Sequence, residues 1–449
     1  MKLIVAGAGA GKTTSMAEEV LKRYEEIKDG KVIYVITYTN AARDHIRKKI
    51  VELHGSIPKQ IKVETSHVFL LQEIIFPFNY LLYGQLYTKS SIIALPSNRM
   101  YRANKLKELR AQNIIHVEEV TEFAKYILVG KSSDKKLIKE RRKQIIVTIG
   151  RYLNSLFIDE VQDIDNNLSK IIEVLYNNNF NLHLVGDPKQ DLRGKNELRK
   201  LIEKYSEYVE YKSENYRCPI SHVNFSNRYV IEEEKQAYQT TELGSIEYLF
   251  ETDIDISEFI KTKNFEHMYI YQKNDRFITN GKDKNEFDNL LKYELKRLIQ
   301  KSKYAENQVE KRIYILNNWI QEVIYSKNNW GIINRIGELL SLKLTKEDKG
   351  RMITALDLSR ERKEIEGMVV DSIDKVKGLE GETCLFILST ELAEYLFQIK
   401  KDQNKMANYL YVALTRAKKE LYILITKEIE TKYSREWVNA KLVNLFKDK

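Results

Sequence analysis

The stretch AGAGAGKTT (residues 6–14) decides the fold expected for this chain, because it stands between a short apolar run and an amphipathic helical pattern. Glycines in such a loop let backbone N–H groups curl around phosphates. Lys12 is placed to reach the terminal phosphates of a nucleotide, and Thr13 offers a hydroxyl to Mg²⁺. The generic pattern has glycine where this chain has Ala6. The residues predicted to contact the nucleotide are Ala8, Gly9, Ala10, Gly11, Lys12, Thr13 and Thr14.

Strand-like and helical patterns alternate on either side of this loop. In the first third of the chain, apolar runs at residues 3–6 and 32–37 are followed by helical patterns at 15–27 and 41–51. This order is typical of a parallel sheet covered by helices. Further strands are predicted at SLFIDE (155–160), HLVGD (183–187), HMYIYQ (267–272), MVVDSI (368–373), CLFILS (384–389) and ELYILIT (420–426).

Composition narrows the class of protein. The 449 residues are 43% hydrophobic, which favours a globular protein of several domains. No apolar run is long enough for a membrane helix, and no charged leader precedes the first strand, so a cytoplasmic location is expected. Cys218 and Cys384 are too isolated for a disulfide framework or a structural metal site.

The charge favours a polyanionic partner. The formal net charge is +10, and residues 99–143 carry thirteen Lys or Arg against six acidic residues. A positive field attracts phosphates and gains from counterion release. A solvated helix face explains the same charge run equally well.

A second motif, IDEVQD (158–163), places acids at the end of a predicted strand. Phosphoryl transfer to water needs one carboxylate to hold the metal and another to orient and deprotonate the attacking water. We assign the metal role to Asp159, with Thr13, and the base role to Glu160. Acidic residues at strand ends also cap helices. The catalytic interpretation of this motif therefore depends on the presence of the phosphate loop in the same chain.

The motifs form an ordered series along nearly the whole chain. They are AGAGAGKT (6–13), TYTNAA (37–42), ETSH (64–67), DEVQD (159–163), GDPKQ (186–190), NYR (215–217), KGLEG (377–381) and YVALTRAKKEL (411–421). This series resembles that of the UvrD/PcrA/Rep-like superfamily 1 DNA helicases. The resemblance implies an α/β fold with two RecA-like parallel-sheet phosphate-loop domains, each with a mostly helical insertion, and the use of ATP and Mg²⁺.

The resemblance also implies domain boundaries. The first motor domain is expected at residues 1–67 with 150–225, and its basic helical insertion at 68–149. The second is expected at 226–280 with 365–449, and its reduced helical insertion at 281–364.

Individual roles follow from the matching positions. Gln190 resembles the residue that senses the γ-phosphate, and Arg217 and Arg416 resemble arginines that stabilise its developing charge. Tyr216 is similar to the aromatic residue that stacks on adenine, and Glu380 to the acid that contacts the ribose.

The expected single-strand groove consists of Tyr38, Thr39, Asn40, Thr65 and His67, where aromatic stacking would grip bases without sequence choice. Tyr38 could equally be a half-buried sheet residue, and a lone histidine is more often a core residue. The sequence also departs from the family pattern: residues 1–5 precede the loop where the family has an adenine-reading glutamine segment, Thr14 stands where an arginine is usual, and no aromatic pair follows GDPKQ.

Two functions of different classes remain open from sequence. The first is a nucleic-acid-stimulated ATPase that moves 3′ to 5′ on single-stranded DNA, with unwinding of duplexes as a further expected activity. The alternative is an ATP- and DNA-sensing regulatory subunit of a nuclease-containing anti-phage complex, similar to the helicase-like subunit of Gabija-type defence. Single-stranded or partly duplex DNA is the expected partner, and a nuclease subunit is a further expected partner under the alternative. A small-molecule kinase is disfavoured because it leaves TYTN, NYR and TRAKKEL without purpose.

Overall fold

A computed structural model of the protein describes residues 1–96, 98–279, 282–302, 309–324, 326–360 and 368–446. The chain forms two compact units, Met1–Glu266 with Lys377–Lys449, and His267–Val376. The boundaries predicted for the second helical insertion, at 280/281 and 364/365, lie outside the described residues. Among the helices in the described ranges, none has both the length and the apolar character needed to cross a bilayer.

The described strands and helices follow one another along the chain with few long interruptions. The strands are β1 (Lys2–Ala6), β2 (Val32–Thr37), β3 (Ile61–Thr65), β4 (Lys89–Ser91), β5 (Ile114–His116), β6 (Leu153–Ile158), β7 (Asn181–Gly186), β8 (Val209–Lys212), β9 (Glu214–Asn215), β10 (Ala237–Tyr238), β11 (Ser245–Phe250), β12 (His267–Ile270), β13 (Phe277–Thr279), β14 (Met368–Ser372), β15 (Gly381–Leu388) and β16 (Ala417–Ile425). The helices are α1 (Lys12–Glu26), α2 (Asn40–His54), α3 (Ser66–Phe69), α4 (Phe76–Tyr83), α5 (Arg99–Ala111), α6 (Val120–Leu128), α7 (Lys136–Tyr152), α8 (Asn166–Asn177), α9 (Glu197–Lys204), α10 (Ile220–Ser226), α11 (Ile256–Lys263), α12 (Lys282–Lys301), α13 (Val309–Val323), α14 (Asn329–Leu340), α15 (Lys346–Arg360), α16 (Ile373–Val376), α17 (Thr390–Leu396), α18 (Lys405–Leu414), α19 (Lys427–Tyr433) and α20 (Arg435–Phe446).

The sheet that carries the phosphate loop has six parallel strands in the order β3-β2-β6-β7-β1-β8. Its strands are apolar because both faces are covered by helices. Along β1, Leu3 and Val5 pack into one apolar cluster, while Ile4 and Ala6 pack into another on the opposite face. The alternation follows the two-residue period of a strand.

This strand order brings three motifs to one edge of the sheet. β6, β7 and β1 are neighbours, and β1 runs into the phosphate loop, β6 into Asp159 and Glu160, and β7 into Asp187. The carboxyl ends of parallel strands form the edge where ligands bind in open α/β sheets.

A second group of six strands also pairs in parallel, three in each unit. β11, β16 and β15 belong to the first unit, with β16 between the other two. β12, β14 and β13 belong to the second unit, with β14 between the other two. Four of these strands lie where the apolar runs predicted them. The α/β fold class with parallel sheets is therefore confirmed.

Two long segments, each inserted between strands of the same group, are mostly helical. The first contains α4 to α7 together with the short parallel pair β4 and β5, which the sequence did not indicate because three-residue strands are too short to show a period of two. In the second unit, α12 to α15 bury an apolar cluster that includes Leu295, Ile320 and Ile336. These four helices therefore have an apolar core of their own.

Candidate functional site

The loop between β1 and α1 adopts backbone angles that require glycine at two positions. Gly9 and Gly11 have φ values of +74° and +69°, in the left-handed region that disfavours other residues. Gly11 caps the N-terminus of α1. The end of the loop therefore lies at the positive end of the helix dipole, where phosphate is stabilised.

The first turn of α1 carries the polar side chains of the loop. The ammonium of Lys12 curls back, with Nζ 3.2 Å from Ala6 O and 3.1 Å from Gly7 O. Thr13 and Thr14 follow in the same turn and are half-buried. An ammonium held by carbonyl oxygens inside an anion-binding loop is placed to exchange those oxygens for phosphate oxygens.

The acid pair follows β6. Asp159 is buried, and burial, together with the neighbouring charge of Glu160, raises its pKa to about 7, although Lys12 acts in the opposite direction. Glu160 has a left-handed φ of 53° and accepts a hydrogen bond from Gln162 Nε2. The two carboxylates repel one another in a dry setting that lacks sufficient positive charge.

This setting fits a divalent ion. Mg²⁺ takes oxygen ligands from one or two carboxylates together with phosphate oxygens. The Asp159 carboxylate and the Thr13 hydroxyl are oxygen donors of this kind, and the raised pKa of Asp159 reflects a carboxylate that a cation would help to ionise. The residues present can therefore hold Mg²⁺ with a nucleotide.

The motif after β7 is a buried hydrogen-bonded cluster. Gln190 donates from Nε2 to Asp187 Oδ2 at 2.9 Å, and Lys189 Nζ lies 3.0 Å from Asp187 Oδ1. Burial opposes ionisation of Asp187, but the nearby Lys189 and Lys12 hold its pKa below the ordinary value. The backbone N–H of Asp187 donates to Gln162 Oε1 at 3.0 Å. Gln162 thus connects this cluster to Glu160.

The NYR motif lies next to the phosphate loop. The backbone N–H of Tyr216 donates to Gly9 O at 2.9 Å, and a Cβ built on Gly11 would be 3.9 Å from the Tyr216 ring. This ring is 64% exposed, so its face is open for stacking. Arg217 Nε lies 2.8 Å from Glu380 Oε2. The structure therefore brings together Tyr216, Arg217 and Glu380 beside the loop.

Arg416 lies differently from Arg217. Its side chain is only 1% exposed, and its guanidinium donates to Val412 O at 2.9 Å, Leu379 O at 3.1 Å and Thr415 Oγ1 at 3.0 Å. The residue that this segment brings to the phosphate loop is Tyr411, whose hydroxyl accepts from Ala8 N at 3.1 Å. The segment faces the loop, whereas the guanidinium is held by its own neighbours.

Two residues at the loop had no role in the sequence prediction. Tyr411 begins one of the motifs, and Gln236 lies outside all of them. Gln236 donates from Nε2 to Ala8 O at 3.0 Å and accepts from the Tyr411 hydroxyl at 3.0 Å. A lone glutamine in the segment KQAYQT carries no local signal, because only tertiary folding brings it to the loop.

Tyr38 and His67 come together beyond β2 and β3. Their rings meet edge to face with centroids 6.4 Å apart, and Lys195 Nζ lies 5.7 Å from the centroid of Tyr38. Burial raises the pKa of Tyr38 to about 12 and lowers that of His67. At neutral pH both rings are therefore uncharged. Lys195 adds a positive charge that sequence analysis did not single out.

The other predicted groove residues are close in sequence to these rings. Thr39 accepts a hydrogen bond from Ala42 N at 3.1 Å and Thr65 from Val68 N at 3.4 Å, so each caps the helix that follows it. Asn40 is exposed at the start of α2. Thr39 and Thr65 thus stabilise the first turns of α2 and α3.

Comparisons with known proteins agree with the motif order. Residues 1–194 match the AAA domain family. The chain is 29% identical over 234 residues to the Gabija protein GajB of Bacillus cereus (strain VD045), and the match covers 50% of this chain and 45% of that relative. The chain therefore spans less than half of the relative it matches.

A solved structure of Arterivirus nonstructural protein 10, a helicase, in complex with DNA has a TM-score of 0.39 at 12% identity, covering 96% of this chain and 62% of that one. The chain is thus similar to the AAA domain family over residues 1–194 and to GajB over 234 residues.

Proposed function

We propose that this protein is a nucleic-acid-stimulated ATPase that uses ATP and Mg²⁺ to move 3′ to 5′ along single-stranded DNA. One observation carries the proposal: the acid motif of the nucleotide site is joined to the aromatic groove by direct contacts. Asp163, the last residue of DEVQD, accepts from Lys195 Nζ at its backbone oxygen at 2.9 Å, and Lys195 lies over the ring of Tyr38.

Such a connection is what an ATP-driven motor requires. A change at Asp159 or Glu160 on ATP hydrolysis moves Asp163, since they share one short turn after β6. Asp163 in turn positions Lys195 against Tyr38. The nucleotide bound at the phosphate loop therefore changes how tightly a base binds on Tyr38. By reciprocal linkage, bound DNA also changes the turn that holds Asp159 and Asp163.

Each predicted catalytic group has a task in this proposal. Asp159 and Thr13 would hold Mg²⁺, which when bound would supply neutralisation of the phosphate charge. Glu160 takes a proton from the attacking water. Gln190 senses the γ-phosphate, and its hydrogen bond to Asp187 links that contact to the end of β7.

The two arginines must change partners to act on the γ-phosphate. Arg217 exchanges Glu380 for the γ-phosphate, Glu380 turns to the ribose, and Arg416 leaves its carbonyl partners. Lys12 and Arg416 belong to the first and second motor domains predicted from the sequence, and both lie in the first compact unit of the structure. Closure of these domains on ATP supplies the movement.

The test is steady-state ATP turnover with and without oligo-dT. Turnover should rise severalfold with oligo-dT and fall to background in Lys12→Ala and Glu160→Gln. Lys22→Ala, which removes an exposed lysine from the same helix, should behave as wild type. A turnover that ignores oligo-dT would contradict the proposal. A companion assay with RNA oligomers decides the preferred strand.

A second candidate function is favoured by the similarity to GajB. In this alternative the chain senses ATP and DNA as a regulatory subunit of a nuclease-containing anti-phage complex and unwinds little by itself. Copurification from the native host would then yield a nuclease in stoichiometric amount. The isolated chain would hydrolyse ATP but fail to displace a strand from a partial duplex. Displacement by the isolated chain favours the motor.

A further inference from the structure

Gln236 is a buried polar side chain that joins three separate parts of the nucleotide site. It is 7% exposed and lies between the short helical turn at residues 232–234 and β10, outside every motif. Its amide contacts the phosphate loop at Ala8, the NYR turn at Asn215 and helix α18 at Tyr411. None of the roles of the other site residues accounts for it.

The donors and acceptors of this cluster are fully determined. Ala8 O can only accept, so it takes Nε2 of Gln236 as the donor at 3.0 Å. Oε1 of Gln236 then accepts from the Tyr411 hydroxyl at 3.0 Å and from Asn215 Nδ2 at 3.1 Å. Burial raises the pKa of Tyr411 well above its ordinary value, so the hydroxyl keeps its proton and donates at every physiological pH. The same hydroxyl accepts from Ala8 N.

These bonds fix the orientation of the loop backbone. A trans peptide directs its C=O and its N–H to opposite sides. When Gln236 holds Ala8 O, the N–H of Gly9 is directed away from Gln236, towards the opposite side of the loop. Asn215 adds a second constraint, because its Oδ1 accepts from Arg217 N at 3.0 Å and thereby holds the turn that bears Arg217.

The glycines of the loop fit this arrangement closely. A Cβ at position 7 would lie 2.4 Å from Gln236 Cδ, and one on Gly9 would lie 2.5 Å from Asn215 Oδ1. Gly7 has no left-handed backbone angle to require glycine, so the close approach of Gln236 is a sufficient reason for it. The glycine at position 7 thus accommodates Gln236, in addition to the glycines that the loop needs to bind phosphate.

We propose that Gln236 is the positioning residue of the phosphate loop, which sets the Ala8–Gly9 peptide for the phosphates of ATP and, through Tyr411, ties that peptide to α18. The inference rests on the proposed function only in taking ATP as the ligand of the loop. A prearranged loop loses less freedom when it binds, so its ligand binds more tightly.

The test compares ATP binding and turnover in three variants of the full chain. Gln236→Ala removes the amide, Gln236→Met removes it at nearly constant volume, and Gln239→Ala is the control, an exposed glutamine three residues later. The Kd for ATP, measured by calorimetry with Mg²⁺ and without DNA, should rise about tenfold or more in both Gln236 variants, as expected when a buried hydrogen-bonding group is lost. KM should rise in parallel, whereas kcat at saturating ATP should change less than about threefold.

A double-mutant cycle separates positioning from general loosening of the fold. Tyr411→Phe removes the hydroxyl shared by Gln236 and Ala8, so its effect on the Kd should not add to that of Gln236→Met. Independent, additive effects would overturn the proposal, as would an unchanged Kd in a variant that melts at the temperature of the Gln239→Ala control. These outcomes do not depend on stimulation by DNA, so failure of the motor proposal would leave this test intact.

Discussion

Lys377 and Asp163, 214 residues apart in the chain, form an ion pair in which Nζ lies 2.8 Å from Oδ1 and 2.9 Å from Oδ2. Lys377 begins KGLEG and Asp163 ends DEVQD, so the pair joins two motifs of the series. Burial raises the pKa of Asp163, and Lys377 opposes that rise. The lysine therefore favours the charged form of the residue whose backbone oxygen accepts from Lys195.

Replacing Lys377 should uncouple DNA from ATP turnover. In Lys377→Ala, Asp163 loses its counter-charge, and the turn that positions Lys195 loosens. We expect stimulation by oligo-dT to fall about fivefold or more, an effect on the scale of one lost charge-assisted hydrogen bond, while unstimulated turnover stays within about twofold. Titration of turnover with oligo-dT measures this. Lys375→Ala, an exposed neighbour in sequence, should retain full stimulation, and equal loss in both variants would contradict the prediction.

Turnover should depend on pH through Asp159. The folded protein raises the pKa of this carboxyl to about 7, so it binds a proton as the pH falls through 7 and then no longer holds Mg²⁺. We expect kcat/KM to decrease about tenfold per pH unit below that point, because kcat/KM reports groups of the free enzyme.

Mg²⁺ provides the control for that profile, because metal and proton compete for the same carboxylate. More Mg²⁺ should move the midpoint of the acidic limb to lower pH. A midpoint that stays fixed across a wide range of Mg²⁺ would show that another group titrates.

Tyr38 should contribute to DNA binding through its ring rather than its hydroxyl. Stacking of one base on an aromatic side chain is worth about 1–3 kcal/mol. Tyr38→Ala should therefore weaken binding of oligo-dT at least about fivefold in fluorescence anisotropy, and Tyr38→Phe should bind like wild type. Similar affinities for the Ala and Phe variants would remove Tyr38 from the groove.

Tyr216 should act on the base of the nucleotide and not on its phosphates. Its open ring lies beside Gly11, so Tyr216→Ala should raise the KM for ATP about tenfold, on the scale of one stacking contact. Binding of inorganic triphosphate, which has no base, should be unchanged in calorimetry. If both ligands bind more weakly, the ring supports the loop and does not recognise adenine.

Much of the fold was predictable because its signals are local. The run at residues 3–6, the glycines that follow and Lys12 define a strand, a loop and a helix within a few residues. The apolar runs that became β6, β7, β15 and β16 are continuous because parallel strands are buried on both faces. Short strands such as β4 and β9 escaped prediction, since two or three residues show no periodicity.

Residues of the site were predictable only where they belong to a motif whose residue types indicate a specific chemistry. Asp159, Glu160 and Tyr216 lie at the sheet edge or the loop, as their motifs suggested. Gln236 and Lys195 were not found, because nothing in their local sequence distinguishes them from surface residues. Arg416 shows the converse: its motif implies a place on the γ-phosphate, whereas its guanidinium here binds Leu379 and Val412.

The sequence by itself determined the class of chemistry, since a phosphate loop and an acid pair need specific atoms at short spacing along the chain. Only the tertiary structure decided which distant groups meet: Tyr411 and Gln236 on Ala8, and Lys377 on Asp163. The physical reason is the distance along the chain over which each kind of interaction acts. Backbone angles and strand periodicity act over a few residues, whereas a hydrogen bond between residues 8 and 411 exists only after both segments have packed against the same sheet edge.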